Sequence, residues 1–163
     1  DHILEGEGQL RHEEFLHDGS GDPRATFARS LLDTLAGSGT IVMYSGFEES
    51  RIHGLAVALP DLAPDLLGLL DGRIVDLLKL IRTHCYHPEF HGSFSIKSVL
   101  PALVPDFGYE DLQIHGGDMA SVAYTEMMQA KTPNGRRDQL RSNLLEYCRR
   151  DTEAMVRIYE VLR

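Results

Sequence analysis

A chain of 163 residues with 42% hydrophobic content is the size of one domain and can bury a core, so a single domain over 1–163 is expected. Its formal net charge of −9 argues against a protein that coats nucleic acid through a basic face, yet it leaves room for a nuclease whose carboxylates meet phosphate through divalent ions. Two cysteines in unlike contexts, no apolar run near the roughly 20 residues of a membrane span and no basic-then-apolar leader point to a cytoplasmic protein with no membrane partner.

In chain order, residues 1–17 read as a hairpin, with short apolar-bearing segments at 2–4 and 14–16 joined by the turn-prone Gly6-Glu7-Gly8. Asp22-Pro23 starts a helix whose apolar face is Phe27, Leu31, Leu32 and Leu35, ended by Gly37 and Gly39. The run T-I-V-M-Y at 40–44, bounded by glycines, suits a buried parallel strand. A helix follows over 47–59, and Pro60-Asp61 opens another that runs to 70. After the Asp71-Gly72 turn, R-I-V-D-L-L-K-L-I-R passes from a strand-like start into a helix. Residues 83–92 form a loop rich in histidine and aromatics, 93–103 a helix and 105–117 a loop. Helices at 119–129 and 137–162, with K-T-P-N-G between them, complete the chain. The pattern predicts an α/β or α+β domain with its sheet in the first 45 residues and a helix-rich C-terminal half.

Asp151 is the most informative position. Leu144, Cys148, Asp151, Met155, Ile158 and Leu162 are spaced four and three apart, which defines one helix face and turns the carboxylate inward. A carboxylate there is neutral, paired with a cation or bound to a metal, because burying it charged and unpaired costs several kcal/mol. Tyr147, one turn earlier, places a phenol beside it. The structural alternative is a helix-end aspartate paired with Arg149 or Arg150.

Other candidates carry two readings each. Glu48 follows the buried strand, at the carboxyl end of the sheet where open α/β folds bind ligands. S-x-x-E from Ser45 to Glu48 is equally a helix capping box. Asp76 reads as an N-cap. His84, Cys85, His87 and His91 hold ligand-competent atoms for zinc, or else belong to an aromatic loop packed on the domain. Arg136, Arg137, Arg141, Arg149 and Arg150 supply a basic patch or a solvated helix face.

Taken in order, the strand followed by F-E, R-I-V-D-L, G-S-F-S-I-K-S-V-L-P-A-L and Y-C-R-R-D-T resemble the second half of a DEDD-type 3′–5′ exonuclease with the ribonuclease H-like fold. V-M-Y-S-G-F-E-E-S-R-I, Y-H-P-E-F-H-G-S-F-S-I-K and Y-C-R-R-D-T-E-A-M-V are similar, more closely, to a bacterial family of domains of unknown function grouped with those nucleases. Such enzymes hold two divalent ions, magnesium or manganese, with four acids. The resemblance implies that Glu48 is the second-motif acid and Asp151 the third-motif acid, both metal ligands. It also makes Tyr147 the phenol that orients the attacking water, the tyrosine subtype, with Lys97, Arg149 and Arg150 toward nucleic acid.

The first-motif Asp-x-Glu pair, expected on the first central strand, has no place before the hairpin, and neither Glu5-Gly6-Glu7 nor Glu13-Glu14 has that strand context. The chain therefore reads as the C-terminal portion of the domain, inactive by itself and binding metal weakly. Its strand edges, uncovered by the missing strand, imply a homo-oligomer or a sheet in which the hairpin pairs with the T-I-V-M-Y strand. The rival expectation is a non-catalytic nucleic-acid-binding or protein-interaction domain that kept the fold.

Overall fold

Short β-branched runs and longer amphipathic stretches alternate along the chain, and the computed structural model, which describes residues 2–4, 9–17, 19 and 21–163, resolves them into a mixed α/β arrangement. The strands are β1 (His2–Leu4), β2 (Leu10–His12), β3 (Ile41–Met43) and β4 (Ile74–Asp76). The helices are α1 (Arg24–Thr34), α2 (Phe47–Ala58), α3 (Ala63–Gly68), α4 (Leu77–His84), α5 (Ile96–Leu103), α6 (Gly117–Met127) and α7 (Asn134–Leu162). Two compact units result: Asp1–Ser20 with Val104–Arg163, and Gly21–Leu103.

In the unit Gly21–Leu103, β3 and β4 pair in parallel with Met43 opposite Asp76, and the helical residues between them make the crossover that parallel strands require. The Ile-Val pairs of both strands suit a pleated, half-buried surface. T-I-V-M-Y thus takes its partner from R-I-V-D and lies in a different sheet from the hairpin. Ala28, Met43, Ile52, Ala56 and Leu66 form a buried cluster, with Leu31, Leu32, Ile41 and Leu55 packed against it. Ala28 takes the inward place on α1 that the spacing gave to Phe27, which is exposed. Arg73 ties the layer together by donating to the carbonyls of Leu35, at the end of α1, and Gly39.

The two expected caps have different outcomes. Asp76 caps α4, its carboxylate accepting from the Lys79 N–H at 3.0 Å. Ser45 does not close a capping box: Gly46 is the N-cap of α2, and the Ser45 hydroxyl accepts from the Phe47 N–H at 3.3 Å. Ser45 instead lies at φ +92°, a conformation unusual for a residue with a side chain.

In the other unit, β1 pairs antiparallel with β2, His2 opposite His12. The second strand is Leu10–His12 instead of 14–16, and the expected Gly6-Glu7-Gly8 turn lies outside the described residues. The hairpin reaches α7 through His2, whose Nδ1 lies 2.7 Å from the Thr152 hydroxyl, and Arg141 of α7 donates to the Leu16 carbonyl at 2.9 Å. On α7 the buried side chains are Leu140, Leu144, Tyr147, Ala154 and Ile158. This line passes through the half-buried Asp151, as expected, but runs on Tyr147 and Ala154, while Cys148 and Leu162 are exposed. At 3.6 residues per turn Tyr147 and Cys148 flank the same stripe, and the larger ring takes the covered side.

His2 is held well below its ordinary 6.5, at about 4, first by burial and then by the charge of His12, whose ring lies 4.5 Å away. A depressed histidine contributes stability that is complete above 6.5 and is lost as pH falls toward 4. Unfolding midpoints should therefore drop across that window. His2→Gln should flatten the dependence, as read by denaturant titration at several pH values.

Candidate functional site

The 29-residue helix α7 carries Asp151 at mid-length, and residues 105–116 wrap over that point. The wrap is fixed by Arg150, which donates to both carboxylate oxygens of Asp111 at 2.9 Å and to the Gly108 carbonyl at 2.5 Å. Phe107 packs beneath two guanidinium groups of the helix, Arg150 at 5.1 Å and Arg157 at 5.8 Å from its ring centre. This places Tyr109 against α7, 8% exposed, with its hydroxyl donating to Asp151 Oδ1 at 2.7 Å. Tyr147, 9% exposed, faces Tyr109 at 6.4 Å between ring centres.

The cluster is therefore one carboxylate and two phenols. Burial, followed by the negative charge of Asp151, pushes Tyr147 up to about 12. Tyr109 is driven further in the same direction by the same causes, and a hydrogen bond to Asp151 contributes for both phenols. Both phenols hold their protons at neutral pH and act as donors. Although Cys148 is exposed as a residue, desolvation of its thiol and then the charge of Asp151 push that thiol up as well. The structural alternative, a pair of Asp151 with Arg149 or Arg150, is not formed by Arg150, which is committed to Asp111.

The implied metal can be tested against these donors. Protonated phenols satisfy an anion and do not bind a cation. Among the described residues, no group of three His, Cys, Asp or Glu side chains is placed to hold a metal ion. Within its own unit, the described cluster offers one carboxylate toward the four acids that the resemblance implies.

The other expected residues sit on their own elements. Glu48 belongs to the other unit, half-buried as the second residue of α2, beyond the carboxyl end of β3. Lys97 is exposed in the first turn of α5, and Arg149 is exposed on α7. The His/Cys loop has a structural role at His87, whose Nδ1 accepts from the Glu89 N–H at 3.3 Å and whose ring lies 5.7 Å from that of buried Phe90.

Sequence reasoning brought Tyr147 and Asp151 together, as the structure does, and missed Tyr109. Its signal was an aromatic in F-G-Y-E-D-L, a loop without periodicity. Only the buried Leu112 and Ile114 that follow mark that segment as packed.

A family model described as a domain of unknown function, DUF2779, matches residues 1–95, more than half of the chain, and the chain belongs to that family. No curated protein and no solved structure matches it. The matched residues include Glu48 and end ahead of α5, whereas Tyr147 and Asp151 lie beyond them.

A spectrophotometric alkaline titration checks the cluster. The tyrosine absent in Tyr147→Phe should ionise at about 12 in the parent chain and at a lower pH in Asp151→Asn, since the carboxylate charge raises it. A raised tyrosine contributes stability below its ordinary 10, lost as pH rises toward 12. The loss of stability between pH 10 and 12 should accordingly be smaller in Asp151→Asn.

Proposed function

We propose that this DUF2779 chain is a nucleic-acid-binding portion of a 3′–5′ exonuclease-like domain of ribonuclease H-like fold, and that it binds single strands without cleaving them. The observation that carries the reading is Asp151, a carboxylate set in the buried line of α7 with the phenol of Tyr147 beside it. An apolar helix face has no structural need of a charge, and an acid-plus-tyrosine pair at i and i+4 is what the resemblance leads one to look for. In the intact protein Asp151 and Glu48 are two of the acids that would hold magnesium or manganese, with Tyr147 as the group orienting water. The donors described here fall short of such a site, so hydrolysis is assigned to the intact protein alone.

A second reading, a non-catalytic binding domain, is favoured by one observation: the Asp151 carboxylate is already bonded to Tyr109. A phenol donating at 2.7 Å lowers the carboxylate's affinity for any ion, because that bond must be given up first. The two readings differ in what the longer protein does and agree on this chain.

The test uses 5′-labelled single-stranded DNA and RNA with manganese or magnesium present. The chain should retain oligonucleotide in a salt-sensitive manner and shorten it at most in trace amounts, and Asp151→Asn should remove any trace. An absence of binding at low salt would overturn the proposal. Efficient shortening that survives both Asp151→Asn and Glu48→Gln would place the chemistry elsewhere.

A further inference from the structure

We propose that an open cleft of about 620 Å³ at the carboxyl end of β3 binds a phosphate group of the nucleic-acid strand, with Arg82 as its charged contact. The inference deepens the nucleic-acid reading and rests on it for the identity of the strand, but not for the anion. Tyr44, Ser45, Leu78 and Arg82 form one wall, and Gly92 to Ile96 form the other. All of these residues belong to the unit Gly21–Leu103.

Charge is the first argument. In a chain of net charge −9, this cleft is lined by a guanidinium and by no carboxylate. The nearest acid whose charge is felt by Tyr44 is Asp76, and its carboxylate is occupied in capping α4. Arg82 stands over the Phe94 ring at 5.8 Å, and among the described residues it has no ion pair. A planar guanidinium held on an aromatic ring keeps its donors pointed outward and matches a phosphate in a two-point contact.

The second argument is the construction of the opposite wall. The Tyr44 hydroxyl donates to the Phe94 carbonyl at 2.7 Å, pinning the loop to the end of β3. Phe94 also meets the buried Phe90 edge-on at 5.8 Å. The loop can turn there because His91 and Gly92 take positive φ, +50° and +77°. Ser93 and Ser95 are thereby presented at the cleft and linked in a chain: the Ser93 hydroxyl donates to Ser95 at 3.3 Å, and Ser95 shares a hydrogen with Ser98 at 3.0 Å. Hydroxyls bonded in series can rotate to donate outward to an anion without leaving a buried group unsatisfied. Directly across lies Ser45 at φ +92°, strain of a kind that persists where surrounding structure imposes it.

Position and size agree. Ligands of open α/β sheets sit outside the carboxyl ends of parallel strands, and about 620 Å³ takes a phosphate together with its sugar. In the motif G-S-F-S-I-K-S, Phe94 packs on the core and Ser95 starts α5, its carbonyl accepting from the Ser98 and Val99 N–H groups, and the serine hydroxyls then have a use as well.

Backbone and arginine side-chain NMR spectra of the chain, titrated first with inorganic phosphate and separately with a 12-nucleotide oligothymidylate, decide the matter. Phosphate should shift the amides of Ser93, Ser95 and Ile96 and the Arg82 Nε–H. Arg82→Gln should weaken that response at least fivefold and lower the salt dependence of oligonucleotide affinity by about one phosphate contact. Arg82→Lys, which keeps the charge and the fold, should restore the salt dependence and part of the affinity. Phosphate shifts at these residues with no oligonucleotide binding would support the cleft as an anion site and overturn the nucleic-acid reading. Oligonucleotide binding that is unchanged in Arg82→Gln, with no phosphate shifts in the parent chain, would overturn the cleft and leave that reading intact.

Discussion

A carboxylate placed on the covered side of a long helix must be satisfied, and in this protein the organisation of residues 105–116 follows from satisfying Asp151. A fully buried polar group left unbonded costs on the order of 1–3 kcal/mol and the half-buried Asp151 a part of that, while a hydrogen bond from a neutral donor to a charged acceptor contributes about 1.5–3 kcal/mol. Tyr109 supplies that bond from a loop, and a loop holds a side chain in place only if it is itself held. Arg150 and Phe107 do the holding, through the bidentate bond to Asp111, the bond to the Gly108 carbonyl and the two stacked guanidinium groups. The Glu153–Arg157 pair further along α7, at 3.0 Å and with its arginine half exposed, is an i,i+4 pair of the kind that contributes only a few tenths of a kcal/mol. The large term is the buried one.

That arrangement also sets what the cluster can do. Two phenols whose protons are held more firmly by burial and by a neighbouring anion are donors over the whole physiological range, so the site orients and does not abstract. A group that positions a water or a phosphate oxygen needs this property. The second unit supplies a different chemistry. Its parallel pair delivers Tyr44 and Ser45 from β3 and Asp76 from β4 at the same carboxyl end, where Arg82 is an exposed cation. No helix among the described residues is long and apolar enough to cross a membrane.

Legibility in the sequence followed the physics of each element. α7 was plain because 29 residues of periodic pattern outweigh local noise, and its tyrosine-acid pair could be placed from spacing alone. The parallel character of β3 was plain because glycines bound a continuous apolar run, although only Met43 of the expected buried strand is fully buried. The capping role of Ser45 was not legible correctly, because the capping motif specifies a side-chain hydrogen bond and says nothing of the positive φ that the strand-to-helix turn imposes. The hairpin register slipped from 14–16 to Leu10–His12, since three-residue strands carry too few side chains to fix a pairing. Tyr109 was invisible, as its position depends on Arg150 and Phe107, contacts 41 and 2 residues away in an aperiodic stretch.

The central claim is that the Tyr109 hydroxyl and the Asp151 carboxylate depend on each other. A double-mutant cycle measures this directly: Tyr109→Phe, Asp151→Leu and the pair are compared by equilibrium unfolding. The account predicts a coupling energy of about 1–2 kcal/mol, with the double variant more stable than the sum of the single losses allows, because each single change removes the bond and strands one of its two covered polar groups. Losses that add to within about 0.3 kcal/mol would contradict it and would mean that Asp151 is satisfied by something other than the phenol that touches it.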